Sequence, residues 1–423
     1  MSNKVKFPIA TGGESALTPK RRFPEFLEAR GWETARGNEL FQQVNNRKAP
    51  TGLPILAITQ EHGAIPRDMI DYHVSVTERS LETYKEVRPG DFIISLRSFQ
   101  GGIEFSEYHG ICSPAYVILR KRSPLSDLFY RQHFKSHAFI QQLTKNLEGL
   151  RDGKMISYKQ FSELRLLKPS LPEQERIGDC LASVDALIAA QGRKVEALRA
   201  HKKGLMQQLF PQEGEVQPRL RFPGFRNAGE WAPEILENLC VAKISYGIVQ
   251  AGPHVPAGMP YIKSMDLNST LRLNGLSCTS NEIAAKYRRS EVNPGDIVFS
   301  LRGNIGVSQI VPKEIPVANL TQGTARLRTK GPPEFYLHAL RSQPVRTRIL
   351  AIGKGSTFQE VSLEALRNVL IYRPGLPEQQ RVGDCLTSLD DLIAAETRKL
   401  DTLKAHKTGL MQQLFPQVGE GDA

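Results

Sequence analysis

The sequence has few cysteines, and none of them are spaced as zinc-binding motifs require. There are five: Cys112, Cys180, Cys240, Cys278 and Cys385. No two form a Cys-x-x-Cys pair, which argues against a zinc finger or zinc ribbon. An odd and sparse number also fits a reduced compartment better than a disulfide framework. The sequence therefore predicts a cytoplasmic protein with no structural metal.

Long apolar runs are also missing. No apolar run reaches the length of about 18 residues that a membrane-spanning helix needs. Residues 1–20 lack the apolar core of a signal peptide, so we expect no export. Asn268-Ser269-Thr270 matches a glycosylation acceptor pattern, and in a cytoplasmic chain we interpret that match as chance.

Catalytic motifs are absent as well. We find neither the glycine-rich loop nor the Asn-Pro-Pro-aromatic motif that an adenine methyltransferase would need. The segment 353–357 resembles a phosphate-binding loop, but the first glycine of that motif is not at the required spacing. We interpret the segment either as a contact to a DNA phosphate or as a plain flexible loop. The sequence therefore predicts a non-catalytic chain.

The chain does carry an excess of positive charge and enough apolar residues for sizeable cores. It has 423 residues, of which 40% are hydrophobic, with 56 Lys and Arg against 44 Asp and Glu, for a net charge of +12. Its length suggests two or three domains. The charge favours a polyanionic partner, although many basic proteins bind no nucleic acid.

An internal repeat defines the organisation of the chain. Residues 171–212 and 376–417 are identical at 30 of 42 positions, at a fixed offset of 205. Chance does not produce such a match, so the chain is a tandem duplication. At the same offset, the turns Pro89-Gly90-Asp91 and Pro294-Gly295-Asp296 each precede a Ser-Leu-Arg sequence. Arg22-Phe23-Pro24 is echoed by Arg221-Phe222-Pro223 at an offset of 199.

Each half is thus a divergent domain followed by a nearly invariant segment. Both domains contain short β-rich runs, at 91–96 and 296–301, and helical stretches near 128–147 and 333–351. We predict an α+β fold. The predicted division is a first variable domain at 1–170, a first conserved helix at 171–212, a second variable domain at 213–375, and a second conserved helix with a C-terminal tail at 376–423.

Each invariant segment has the spacing of a coiled-coil helix. Apolar residues recur in alternating steps of four and three, with two polar positions in each seam. The first seam contains Ile177, Leu181, Val184, Ile188, Gln191, Val195, Leu198, Lys202, Leu205 and Leu209, and the second contains Val382, Leu386, Leu389, Ile393, Glu396, Leu400, Leu403, Lys407, Leu410 and Leu414. We predict two rods of roughly 55 Å that pair as an antiparallel coiled coil with pseudo-twofold symmetry. The alternative is that each helix packs only on its own domain.

This arrangement resembles the specificity subunit of type I restriction–modification enzymes. The motifs that carry the resemblance are Leu-Pro-Glu-Gln at 171–174 and 376–379, the two Pro-Gly-Asp turns, and Gly355-Ser356-Thr357 before the second helix. The first half departs from the last pattern, with Gly149-Leu150-Arg151-Asp152 at the corresponding place. An identical role for the two loops is therefore not expected.

The resemblance implies a division of labour. Each variable domain would read one half of a split target in double-stranded DNA, and the paired helices would set the spacing. Two methylation subunits would bind S-adenosylmethionine and methylate adenine, and motor-endonuclease subunits would join the complex. ATP and Mg are expected in these partner subunits, and no cofactor is expected in this chain.

Candidate site residues fall into two groups. The DNA-binding candidates are arginines, lysines, amides and hydroxyls on loops: Arg97, Gln100, Arg151, Lys154, Arg302, Asn304, Gln322, Lys354, Ser356 and Thr357. The candidates for a subunit interface recur in the repeated helix: Arg193, Lys194, His201, Arg398, Lys399 and His406. Both groups also fit ordinary solvated surface residues.

Two other functions remain open at this point. A protein-interaction scaffold could use the coiled coil to display two ligand-binding domains without DNA. An enzyme fused to its own recognition module is the second, and the missing cofactor and nuclease motifs argue against it.

Overall fold

The computed structural model describes residues 17–48, 50–70, 81–145, 156–353 and 360–416. The chain divides into two compact units. Unit 1 consists of Met1–Gln191 and Lys399–Ala423, and unit 2 is Gly192–Arg398. Both long helices therefore contribute to both units. The domain boundaries predicted above separate the variable domains from the helices, whereas each unit includes part of both helices. Those predicted boundaries therefore stay predictions.

The described strands are short and similarly ordered in the two units. Unit 1 contains Glu33–Arg36 (β1), Phe41–Val44 (β2), Leu56–Thr59 (β3), Gly63–Pro66 (β4), Lys85–Val87 (β5), Phe92–Ile94 (β6), Glu104–Phe105 (β7), Gly110–Cys112 (β8), Val117–Lys121 (β9) and Arg165–Lys168 (β10). Unit 2 contains Ala232–Ile235 (β11), Ser245–Tyr246 (β12), Met259–Ile262 (β13), Ser277–Thr279 (β14), Ile297–Ser300 (β15), Ser308–Ile310 (β16), Asn319–Leu320 (β17), Thr324–Leu327 (β18) and Leu370–Arg373 (β19).

The α-helices complete a mixed fold. They are Gly37–Leu40, Ser98–Gly101, Asp127–His133, His137–Lys145, Tyr158–Glu163, Leu171–Leu209, Asn281–Lys286, Pro333–Arg341, Gln343–Ile352, Leu363–Arg367 and Leu376–Leu414. The predicted α+β class is confirmed. Among the described residues, no helix is both long and apolar enough to cross a lipid bilayer.

A four-stranded antiparallel sheet lies at the centre of each unit. Its order is β2-β9-β6-β7 in unit 1 and β12-β18-β15-β16 in unit 2. The central strands β6 and β15 are the predicted β-rich runs, and every residue in both is buried. They read as uninterrupted apolar stretches because both faces of the sheet are covered.

Each helical stretch predicted near 128–147 and 333–351 is two helices. In unit 1 the break lies between His133 and His137, where the hydroxyl of Ser136 accepts a hydrogen bond from the amide of Phe139 (3.3 Å). In unit 2 the break falls at Ser342, and Pro344 in the next turn has no N–H to continue the first helix. Local capping by serine and proline therefore overrides the apolar pattern.

The two long helices each contain 39 residues, or about 58 Å at 1.5 Å per residue. Every predicted seam position in them is buried or half-buried. In unit 2, Lys194 contacts Glu396 (Nζ–Oε1 2.6 Å) and Lys202 contacts Asp390 (Nζ–Oδ2 2.5 Å). Residue numbers rise along one helix as they fall along the other, so the helices are antiparallel.

The same pairing occurs in unit 1. Lys407 contacts Asp185 (Nζ–Oδ1 2.7 Å), which is the repeat counterpart of the pair between Lys202 and Asp390. Leu181 and Leu414 belong to one buried apolar cluster. Within each unit, the prediction that the helices pair with each other is confirmed. The predicted pseudo-twofold axis stays a prediction.

Two repeated glycines let each domain approach its long helix closely. A Cβ at Gly178 would lie 2.9 Å from the amide nitrogen of Phe129, and one at Gly383 would lie 2.9 Å from that of Phe335. Such contacts are too short for any side chain. These glycines are therefore retained in the repeat because they permit close packing, despite the conformational entropy they cost the helix.

The Arg-Phe-Pro motifs anchor the start of each long helix. Arg22 donates to both carboxylate oxygens of Glu173 (2.7 and 2.8 Å), and Arg221 does the same to Glu378 (2.9 and 2.6 Å). Both glutamates are buried. The bidentate hydrogen bonds raise the pKa of each arginine.

Candidate nucleic-acid interface

A buried aspartate fixes the turn that leads into the central strand of each unit. In unit 1, Asp91 accepts a hydrogen bond from the amide of Arg88 (2.8 Å) and two from the guanidinium of Arg120 (2.7 Å each). Gly90 has a φ of 93°, which only glycine adopts without strain. The hydrogen bonds that Arg120 donates to Asp91 raise the pKa of Arg120. The turn is therefore rigid and charge-balanced.

Unit 2 repeats this arrangement. Asp296 accepts from the amide of Asn293 (2.8 Å) and twice from the guanidinium of Arg328 (2.7 and 2.6 Å). Gly295 has a φ of 90°. As a result, the strands β6 and β15 are held in the same way, and both lead to a Ser-Leu-Arg sequence that leaves the core.

In unit 1, two polar residues of the loop after β6 lie beside a third polar residue from another turn. Arg97 and Gln100 are exposed, at the start and within the short helix Ser98–Gly101. Gln60, from the turn between β3 and β4, donates to the carbonyl oxygen of Arg97 (3.3 Å). The structure therefore brings Arg97, Gln100 and Gln60 together at one loop cluster.

The corresponding cluster in unit 2 carries different groups. Asn304 donates to the side-chain oxygen of Asn268 (2.7 Å), and both are exposed. Arg302 pairs with Glu360 (2.8 Å), with 43% of each side chain exposed. Gln322 is half-buried, and its backbone amide donates to the carbonyl oxygen of Ile248 (2.9 Å). Arginine and amide side chains thus lie on loops at the end of β15.

A short 3₁₀ helix at Ser264–Asn268 completes this cluster. The hydroxyl of Ser264 donates to the carbonyl oxygen of Gly323 (2.7 Å), next to Gln322. Met265 is 68% exposed. Gln60 and Asn268 were missed by the sequence analysis, because each comes from a strand pair remote in sequence. Asn268 drew notice there only as a chance glycosylation match.

Five of the candidate DNA contacts lie outside the described residues: Arg151, Lys154, Lys354, Ser356 and Thr357. Their predicted roles stay predictions. The roles of Arg97, Gln100, Arg302, Asn304 and Gln322 also stay predictions, although their positions on the clusters are now described.

The candidates for a subunit interface are all exposed on the long helices: Arg193, Lys194, His201, Arg398, Lys399 and His406. Lys194 is engaged by Glu396 across the helix pair. Two exposed leucines accompany them at repeat-related positions, Leu187 (58%) and Leu392 (41%). The helix surface therefore offers the same apolar and basic groups twice.

Unit 1 also holds a charged network around Glu86, with no equivalent among the described residues of unit 2. Glu86 is buried and accepts hydrogen bonds from Arg88 (3.1 Å) and Asn46 (2.6 Å) and lies 2.9 Å from His109 Nε2. The bond from Arg88, followed by that from His109, lowers the pKa of Glu86 to about 2. No group of three or more potential metal ligands occurs within the described part of the chain.

By its architecture the chain belongs to a class of duplicated α+β proteins, in which two units contain paired, repeated helices and each unit presents an arginine- and amide-bearing loop cluster. Comparisons with known proteins narrow this class. Residues 251–405 match the family profile of the type I restriction modification DNA specificity domain.

Curated relatives match along most of the chain. The putative type I restriction enzyme MjaX specificity subunit of Methanocaldococcus jannaschii is 22% identical over 415 residues, covering 91% of this chain and 92% of its own. The type I restriction enzyme EcoBI specificity subunit of Escherichia coli is 24% identical over 318 residues, covering 69% and 66%.

Solved structures share the fold. The type I restriction-modification system S subunit from M. genitalium has a TM-score of 0.57 at 15% identity, covering 95% of this chain and all of its own. A chain from a study of complex assembly and conformational transition of the type I R-M system has a TM-score of 0.55 at 18% identity, with the same coverage. The predicted resemblance is confirmed: the chain is similar to specificity subunits of type I restriction–modification systems over most of its length.

Proposed function

We propose that this chain reads a bipartite target in double-stranded DNA, with one half-site read by each unit. The observation that carries the proposal is the pair of loop clusters. The same buried strand and Asp–Arg turn deliver each cluster, while the side chains at its surface differ. A fixed scaffold with a variable reading surface is what two different half-sites require.

The chemistry of the clusters suits base edges. Arginine can donate two hydrogen bonds to guanine O6 and N7, and asparagine or glutamine can pair with adenine N6 and N7. Gln60, Gln100, Asn268 and Asn304 are exposed amides of this kind. Arg97 is available for a guanine or a phosphate, and Arg302 can do the same once it leaves Glu360.

We further propose that the long helices bind two methylation subunits. The recurrence of Leu187 and the Arg-Lys pair 193–194 as Leu392 and 398–399 supports two equivalent docking surfaces. The methylation subunits would bind S-adenosylmethionine and methylate adenine, and motor-endonuclease subunits would use ATP and Mg. The complex would act in the cytoplasm. Mass measurement of the purified complex tests the proposal, which a stable one-to-one assembly would contradict.

The paired helices would then set the distance between half-sites. Four residues inserted near Gln191, about one helical turn, lengthen the first helix by about 6 Å, close to two base-pair steps. We expect a folded variant to methylate targets with a longer spacer and unchanged half-sites. A DNA library with randomised spacers measures this, and an unchanged spacer in an active variant would contradict the role of the helices.

Methylome sequencing of cells with and without the gene tests the function as a whole. We expect one bipartite adenine motif to disappear with the gene. The sharper arm replaces residues 219–375 with the corresponding domain of a relative. One half-site should change and the other should stay, whereas a change in both half-sites would contradict independent reading. If the chain were instead a protein-interaction scaffold that does not bind DNA, neither the gene deletion nor the domain exchange would change the methylated motifs.

A further inference from the structure

A strongly basic cavity lies within unit 2, away from the loop clusters. Its volume is about 430 Å³, and it is bounded by both long helices and by the junction of Pro333–Arg341 with Gln343–Ile352. Five cations line it: Arg199, Lys202, Lys203, Arg341 and Arg346. Asp390 is the one carboxylate among its described lining residues. The cavity therefore carries a large excess of positive charge.

Arg199 pairs with Glu196 (2.8 Å), and Asp390 alone cannot balance the other four cations. Lys202 contacts Asp390 Oδ2 at 2.5 Å, and Arg341 lies 3.9 Å from the same oxygen. The side chain of Lys202 is only 12% exposed. Burial, with the charge of Arg341 adding to it, lowers the pKa of Lys202, and burial lowers the pKa of Arg341. Lys202 and Arg341 thus carry their charges where solvent screens them poorly, and a bound anion would stabilise them.

The repeat supplies an internal comparison. In unit 1, the counterpart of Asp390 is Asp185, which is contacted by Lys407 (2.7 Å) and by the neutral amide of Gln132 (2.8 Å). The counterpart of Lys203 is Thr408. The first copy of this seam keeps cations at two of the three helix positions, Lys404 and Lys407, beside Asp185. The additional cations in unit 2 are therefore Lys203, Arg341 and Arg346.

The size and charge of the cavity indicate the ligand. A volume of about 430 Å³ is too small for a DNA duplex, but it falls in the range of small-ligand sites. A phosphate group offers up to two negative charges and three acceptor oxygens, which suit several cations converging on one point. We propose that this cavity binds a phosphate group, either a DNA backbone phosphate or that of a free phosphate-bearing molecule. The DNA alternative rests on the proposed function.

The test variant is Lys203→Gln with Arg346→Gln in the full chain. Both residues are exposed, and within the described residues neither side chain makes a hydrogen bond or ion pair. Their loss should leave the fold intact. The control, Lys404→Gln with Lys286→Gln, removes the same charge from exposed positions outside the cavity. Lys404 is also the repeat counterpart of Arg199.

Two probes separate the sources of phosphate. Calorimetric titration with sodium pyrophosphate measures the free ligand. Fluorescence anisotropy with a duplex of random sequence, over a range of NaCl concentrations, measures a backbone contact. If the free ligand binds, the test variant should weaken pyrophosphate binding about 10-fold or more, with duplex binding equal to that of the control.

If a backbone phosphate binds, the test variant should lower the slope of log K against log salt by about one relative to the control. Failure of the wild type to bind any duplex would contradict the proposed function, and the pyrophosphate arm would still test the cavity. Identical behaviour of test and control variants with both probes would overturn the proposal. The proposal would also be overturned if the test variant bound both probes normally but no longer assembled with methylation subunits. That result would mean that a protein carboxylate occupies the cavity.

Discussion

Units 1 and 2 share their attachments to the long helices but not their cores. The core of unit 1 is rich in aromatic rings, with Phe41, Phe92 and Phe134 in mutual contact at centroid distances of 5.1–5.6 Å. The core of unit 2 is mainly aliphatic, with Ile297, Leu327 and Leu340 among its buried residues. Two cores of different composition therefore support four-stranded sheets of corresponding strand order.

The conserved contacts have a different character. Each unit keeps a buried Arg–Glu pair at the helix start, a glycine at the closest helix contact, and an Asp–Arg pair behind the central strand. These contacts are directional or sterically exclusive, so a substitution in one partner cannot be absorbed by repacking. The two units thus retain the same contacts between domain and long helix and the same turn before the central strand, while the rest of each domain differs.

Removal of the buried aspartates should give the largest effect. Asp91→Ala or Asp296→Ala leaves Arg120 or Arg328 without its carboxylate, and we expect a loss of about 3 kcal/mol in the free energy of unfolding. The chain has two tryptophans, one per unit, so fluorescence in a Trp231→Phe background reports on unit 1 through Trp32.

Each aspartate variant should destabilise its own unit most. The control Glu107→Gln removes an exposed ion pair with Arg131, which should cost less than about 1 kcal/mol. Equal destabilisation of both units by Asp91→Ala would contradict the view that the Asp–Arg pair stabilises only its own unit.

Filling the glycine contacts should give the next largest effect. Gly178→Ala and Gly383→Ala each drive a Cβ against the backbone of the facing helix, and we expect a loss of about 1–3 kcal/mol from overpacking. Gly204 and Gly409 lie in the same helices with no atom near a built Cβ. Alanine there should stabilise the protein by about 0.5–1 kcal/mol. Thermal or urea unfolding measures both, and the same sign at all four positions would contradict the assignment.

Acid should distinguish the two units through Glu86. Its pKa falls from 4.5 to about 2 on folding, so its contribution is complete above about pH 5 and decreases as pH falls through 4.5 towards 2. Between pH 5 and 3.5 we expect unit 1 to lose about 1 kcal/mol from this group. With Trp32 as the reporter, Glu86→Gln should abolish this part of the pH dependence of the free energy of unfolding. The stability of unit 2 should stay unchanged. If the substitution left the pH dependence of the unfolding free energy of unit 1 unchanged, the stabilising role of the network around Glu86 would be refuted.

The smallest expected effect concerns the ion pair that restrains Arg302. Glu360→Gln should release the guanidinium for DNA, and because exposed pairs contribute about 0.2–1 kcal/mol, binding should tighten by less than about 5-fold. Arg302→Gln should weaken binding at its own half-site, as Arg97→Gln should at the other. Competition anisotropy against half-site variants measures each change. Weaker binding by Glu360→Gln would mean that the pair positions Arg302 for contact.

The long helices show how much the sequence determined. Their first residue and seam follow from a local apolar period, from Pro172 and Pro377 in the first turn, and from the repeat itself. The first helix ends at Leu209, three residues before the predicted end of the segment at 212. The central strands and the arginines that follow them could also be predicted, because an apolar run between a Pro-Gly-Asp turn and a polar stretch is a local signal. The resemblance to specificity subunits rests on the same motifs.

Only the tertiary structure decided what those elements meet. The contact of Gln60 with Arg97 joins residues 37 positions apart, and that of Asn268 with Asn304 joins residues 36 apart. The bond between Arg22 and Glu173 spans 151 positions. No local period encodes such pairs, because they depend on which strands pair and how closely the layers pack. The cationic excess around Asp390 is likewise invisible along the chain, since it arises where four separate helices converge.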